Sequence, residues 1–313
     1  MKKLAIVPFL TAALAVVQFA ADQPKRPKIL GVAHMALYVS DLAKARAFYK
    51  DFLGFAEPFA LQRKDGSDVD RIAFIKINDY QYLELFNEKP RAEERLNHIS
   101  FYTDDAHVMR DYLAAKGVKV PEKAGKGQTG NFNYNITDPD GHIVEIVEYQ
   151  PDSWTAREKG RFMPDTRISD HILHVGVLVG SVDASMKFYH DILGFNEFWR
   201  GTGGKSLSWV NMRVPDGDDY LEFMLYKDLP APTERGVKNH VCLRVADAGK
   251  AIATLEARPA YKDYGKKLEI QTGRNRKRQV NIFDPDGTRI ELMEPNTVDG
   301  KPAPSSDAPP PRP

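Results

Sequence analysis

The chain has 313 residues, 42% of them hydrophobic and 28% charged, with a formal net charge of +1. That composition suits a globular protein with apolar residues enough for one large core or two ordinary ones. The near-neutral balance, with no basic run interleaved with aromatics, excludes nucleic acid or an anionic membrane as a charge-held partner.

The chain opens on Met1-Lys2-Lys3, an apolar run from Leu4 to Val17, then QFAADQP. A basic start, a stretch of this length and small residues after it predict a secretory signal peptide over residues 1–21. The run is too short for a membrane span. A periplasmic or secreted protein, free of the membrane after processing, is therefore expected.

The next elements alternate regularly. HMALYV, from His34, has the period-two pattern of a strand. DLAKARAFYKDFLGF is an amphipathic helix ended by Gly54. Strands succeed it through IAFIKI and YQYLELF. The order then restarts with strand HISFYT, helix DAHVMRDYLAAKG, and strands in FNYNIT and HIVEIVEY. The polar stretch PDSWTAREKGRFMPDTR reads as a linker, residues 151–167.

Beyond the linker the chain repeats itself. HVGVLVGSVDASMKFYHDILGF, from His174, aligns without a gap on the segment from His34. YLEFM matches YLELF, NHVCL matches NHISF, and DPDGTRIE matches DPDGHIVE. The copies span 29–150 and 168–296, and each divides into two β-α-β-β-β modules. The expected class is α+β, with four such modules forming concave, antiparallel-rich mixed sheets. Cys242 is the lone cysteine, so no intrachain disulfide is possible, and it reads as a small packed residue. The proline-rich tail, 297–313, lacks the apolar residues for a core and is expected to be disordered.

Side chains alternate across a strand. Met35, Leu37 and Val39 should pack on the helix, leaving His34 on the concave face beside the small Ala36. In the second copy His174 takes that face beside Gly176. By the same parity Glu84 and Glu222 face inward among aromatic and apolar neighbours, where a charge is costly unless paired. On the last strand periodicity alone does not choose between Glu145 and Glu148, or between Glu291 and Glu294. The flanks favour Glu145 and Glu291 as buried charges, and Glu148 and Glu294 as frayed, solvated ends. Each copy thus offers His, Glu, His, Glu, one per strand: His34, Glu84, His98, Glu145, and His174, Glu222, His240, Glu291. Two imidazoles and two carboxylates suit a divalent first-row metal with open positions. Tyr82, Ser100, Asn133, Tyr220, Arg244 and Asn281 are candidate substrate contacts by strand face. His107, His142, His171 and His190 lack a matched partner and read as surface or loop residues.

These motifs, H-x13-FYxxxLGF, YLE, NH and DPDGxxxE, resemble the vicinal oxygen chelate superfamily of glyoxalases, bleomycin-resistance proteins and extradiol dioxygenases. The resemblance covers nearly all of the chain after residue 28 and implies two fused domains. It places the metal ligands on the eight residues above, deciding for Glu145 and Glu291. It implies Zn, Ni, Mn, Fe or Co, with Glu145 and Glu291 as ligand and base together. The implied activity is that of a glyoxalase-like lyase or isomerase acting on a small substrate through adjacent oxygens. Extradiol ring cleavage and small-molecule sequestration are the alternatives. Glyoxalase I carries an arginine four residues after the first His, where this chain has Tyr38 and Leu178, so a glutathione adduct is not the expected substrate. A monomer or homodimer is expected. The ligands could come from one copy or be exchanged between the two.

Overall fold

The protein is described by a computed structural model covering residues 24–88 and 94–311. The signal-peptide reading falls on residues outside that range. Among the described residues no helix is long and apolar enough to cross a membrane.

Two eight-stranded sheets carry the fold. In chain order the first contains β1 (Ile29–Tyr38), β2 (Ala56–Gln62), β3 (Asp70–Lys76), β4 (Tyr82–Phe86), β5 (Leu96–Thr103), β6 (Gly125–Lys126), β7 (Phe132–Thr137) and β8 (Ile143–Glu148). The second contains β9 (Ile172–Val179), β10 (Asn196–Thr202), β11 (Leu207–Arg213), β12 (Tyr220–Leu225), β13 (His240–Arg244), β14 (Ile270–Thr272), β15 (Lys277–Phe283) and β16 (Arg289–Thr297). The spatial orders are β2-β3-β4-β1-β5-β8-β7-β6 and β10-β11-β12-β9-β13-β16-β15-β14. The modules of one copy therefore join through β1 and β5, or β9 and β13, into one curled sheet. Each concave face belongs wholly to one copy, and the exchanged arrangement is not what the chain adopts.

The first helix starts at Leu42, where the Asp41 carboxylate accepts from Lys44 N–H, and it continues as a π-helical turn over Ala47–Phe52. It ends at Gly54, whose φ of 78° a glycine adopts without strain. Met35, Leu37 and Val39 pack with Phe48, Tyr49 and Phe52 of that helix in the main core, as the alternation predicts. Tyr82, Phe74, Ile72 and Leu61 form a separate apolar cluster on the concave face. Glu148 and Glu294 are not frayed ends. Glu148 accepts from Ala106 N–H and Glu294 from Ala248 N–H, so each satisfies the first backbone donor of a helix whose N-cap is Asp105 or Asp247.

The two copies dock through the repeated DPDG turns, and they do so reciprocally. Tyr49 Oη donates to Asp284 at 3.2 Å, and Tyr189 Oη donates to Asp138 at 2.9 Å. Ser40 N–H donates to Asp286 at 2.9 Å, and Gly180 N–H to Asp140 at 3.0 Å. His142, read as a surface residue, is buried beneath its own turn with Nδ1 2.9 Å from Asp138.

The proline-rich tail departs from expectation. Pro304 O accepts from Trp199 Nε1, Ser306 N–H donates to Arg200 O, and Pro309 O accepts from Leu207 N–H. The tail lies along β10, the outer strand of the second sheet, and covers backbone groups that an edge strand leaves unpaired.

Candidate metal centres

In the first concave cup β1, β4, β5 and β8 each contribute one side chain. His34 Nε2 lies 2.8 Å from His98 Nε2, 3.5 Å from Glu84 and 3.4 Å from Glu145. His98 Nε2 lies 3.9 Å from each carboxylate. Donors about 2.0–2.2 Å from a first-row dication stand roughly 3–3.5 Å from one another. His34, Glu84 and His98, whose donor atoms all lie within 4.8 Å of one another, come near that spacing, and Glu145 joins them at 3.4 Å from His34 Nε2. Burial depresses both imidazoles, His98 to about 4, with the neighbouring His98 charge adding to the effect on His34. Burial raises both carboxyls. Glu145 goes to about 7 despite the donor Ser100, and Glu84 is held well above its ordinary range by burial, with the Glu145 charge adding to it and the Arg71 charge opposing it. Neutral imidazoles beside two carboxyls form a donor set that suits a divalent cation.

The supporting contacts are asymmetric. Ser100 Oγ and Asn133 Nδ2 donate to Glu145 at 3.2 and 3.3 Å. Asn97 Oδ1 lies 2.7 Å from His98 Nδ1. The cavity above, ≈ 280 Å³, is walled by Leu61, Ile72, Phe74 and Phe86. Its polar lining includes Arg71, Gln128, Asn131 and Thr155, none of which the sequence pattern picked out. Tyr82 Oη and Arg71 Nε are buried there without a hydrogen-bond partner. Thr155 comes from the linker, and its neighbour Trp154 packs edge-on against Phe59. The linker thus closes one side of the cup.

The second cup repeats the set with changes. His174 Nε2 lies 3.2 Å from His240 Nε2 and 3.3 Å from Glu291, and His240 Nε2 lies 3.5 Å from Glu222. Cys242 is buried as expected, yet its Sγ lies within 4.8 Å of donor atoms of His174 and Glu291. It occupies the place of Ser100, since Cys242 pairs with Glu291 as Ser100 pairs with Glu145. Arg289, in the register position of Ile143, brings Nη2 to 2.6 Å from His240 Nδ1. Burial pushes Glu291 up, but the hydrogen bond and charge of His174, then Arg289 and Cys242, bring it below its ordinary range. Burial and the Arg289 charge depress His240.

Of the predicted substrate contacts, Tyr82, Ser100 and Asn133 are in the first site, and the Tyr220 ring lies 4.6 Å from that of His174. Arg244 does not reach the second site. It is at the end of β13 and pairs with Asp170 at 2.8 Å, where the concave parity continues past the cup. Asn281 pairs in register with Glu291, which makes it the counterpart of Asn135 rather than of Asn133. By the same register Gln279 corresponds to Asn133, and it lines the second cup with Trp199, Trp209 and Arg274.

A Cβ on Gly176 would sit 1.9 Å from His240 Cε1, so Gly176→Ala should displace that ring at a cost of about 1–3 kcal/mol, read by thermal or urea unfolding. Glu145 titrates higher folded than free, so the folded state holds its proton longer. Metal-free protein should lose stability as pH rises from about 4.5 to about 7. Metal uptake should release that proton and strengthen up to ~10-fold per pH unit below 7, measured by titration calorimetry in buffers of different ionisation enthalpy.

A sequence profile for the Glyoxalase/Bleomycin resistance protein/Dioxygenase superfamily matches residues 31–146 and again 171–292. A probable lactoylglutathione lyase of Vibrio parahaemolyticus is 28% identical over 127 residues, 37% of this chain and 89% of that protein. Among solved structures, a variant of homoprotocatechuate 2,3-dioxygenase from Brevibacterium fuscum superposes with a TM-score of 0.65 at 18% identity, covering 90% of this chain and 76% of that one. The Mn(II)-bound glyoxalase from Novosphingobium aromaticivorans gives 0.64 at 18% identity, covering 90% and 87%. At such identities the structural likeness establishes the fold.

Proposed function

We propose that this chain, which belongs to the Glyoxalase/Bleomycin resistance protein/Dioxygenase superfamily, is a metal-dependent enzyme of the glyoxalase-like lyase or isomerase type. The observation that carries the reading is the first cup, where two neutral imidazoles and two carboxyls converge and, among the described residues, none of the four is paired with a Lys or Arg. His34, Glu84, His98 and Glu145 would hold a divalent ion of the Zn, Ni, Mn, Fe or Co group. When bound, the ion supplies Lewis-acid stabilisation of negative charge developing on one of two adjacent substrate oxygens.

The remaining work falls to the chain. Asn97 Oδ1 accepts from His98 Nδ1–H, which leaves the Nε2 lone pair facing the centre. Glu145, held beside the centre by Ser100 and Asn133, would take a proton from carbon and return it. Ser100 and Asn133 fix its rotamer by donating to one oxygen each. The unpartnered donors Tyr82 Oη and Arg71 Nε would orient polar groups of the substrate. The apolar wall of Phe74, Phe86 and Ile72 limits water at the proton-transfer step.

The reading is tested with metal-loaded protein and a panel of α-hydroxy carbonyl compounds in deuterated water. Deuterium entering the carbon beside the carbonyl, lost in Glu145→Gln, supports it. Ring cleavage is the second reading, and oxygen uptake with catechols on iron loading would replace the first with it. Protein that binds small ligands but retains no metal would instead fit sequestration.

A further inference from the structure

The two cups share a motif but differ in what fixes the second histidine. An Arg guanidinium donates hydrogen bonds and never accepts them. With Arg289 Nη2 at 2.6 Å, His240 Nδ1 must be the acceptor. A neutral imidazole that accepts at Nδ1 carries its proton on Nε2, the nitrogen that faces His174, Glu222 and Glu291. That nitrogen has no lone pair to give a metal. In the first cup the contact is reversed. Asn97 Oδ1 accepts at His98 Nδ1, and the lone pair lies inward on Nε2. Asn239 cannot repeat the role of Asn97, because its amide is used between Leu178 N–H and Glu94.

Charge points the same way. Arg289 lines the second cavity together with Glu222 and Glu291. The corresponding residue of the first copy, Ile143, is exposed and apolar. Arg71 of the first cavity is held by Gln128 and Glu88 and leaves the two imidazoles alone, whereas Arg289 bonds an imidazole of the second directly.

We propose that the protein holds a single divalent ion per chain, in the first cup, and that Arg289 is the resident cation that keeps metal out of the second. This rests on the reading of the first cup as a metal centre. The experiment is metal content of the full chain by mass spectrometry after loading with Mn(II) and desalting. One ion per chain is expected, absent in His34→Ala, retained in His174→Ala, and raised to two in Arg289→Ile, which installs the first copy's residue. Two ions in the unaltered protein, or one that survives His34→Ala, would overturn the inference, as would Arg289→Ile remaining at one. Where Arg289→Ile does not fold, long-range proton–nitrogen spectra of the unaltered protein decide. His98 protonated at Nδ1 and His240 at Nε2 support the proposal, and matching tautomers sink it. No metal at all would overturn the proposed function, whereas two ions would overturn this inference alone.

Discussion

Replacing His98 with alanine should lower the affinity of the first cup for a divalent ion by at least ~100-fold and abolish turnover with it. Loss of an outer partner of a metal ligand typically costs 10–100-fold, and His98 is itself placed as a donor, 2.8 Å from His34 Nε2. Asn97→Ala, which removes only the partner of His98 Nδ1, should fall within that smaller range. Thermal unfolding provides an independent readout. An ion at 100 times its dissociation constant stabilises the native state by about 2.7 kcal/mol. That shift should be present in the unaltered protein and missing from His98→Ala at the same metal concentration. An unchanged shift would show that the ion binds elsewhere.

Phe195→Ala should destabilise the protein by about 3–5 kcal/mol. Phe195 is fully buried, 5.1 Å from the Phe101 ring of the other copy and 5.7 Å from Tyr189. Its removal opens a cavity between the copies as well as within one. Equilibrium urea unfolding measures the loss, and a change under 1 kcal/mol would mean the copies do not pack through this ring. Tyr49→Phe is a milder companion. It deletes one hydroxyl and leaves Asp284 buried without that donor, at a cost of roughly 1–3 kcal/mol.

The module order and the inward-facing His and Glu were legible because both arise from short-range pattern. Strand parity placed His34, Glu84 and Tyr82 on the concave face, and the concave cluster of Tyr82, Phe74 and Ile72 is found there. Parity says nothing about how far along a strand the cup extends, and Arg244 was assigned to a cup it does not reach. Glu148 and Glu294 looked solvated from their terminal positions, yet each reaches a helix start more than 40 residues distant in sequence. Arg289 stands where the first copy has the unlike Ile143, so a search for matched residues passed over it. The chemistry of the second cup turns on a residue that the repeat does not repeat.

The reciprocal seating of the DPDG turns gives the molecule the organisation of a twofold dimer written into one polypeptide. In a homodimer every substitution appears twice, so an arginine that closes one pocket closes both. Covalent fusion removes that constraint. The docking contacts were kept on both sides while position 289 diverged from position 143. One half is thereby free to specialise as scaffold or as a different pocket, while the other keeps a ligand set with no arginine bonded to its imidazoles.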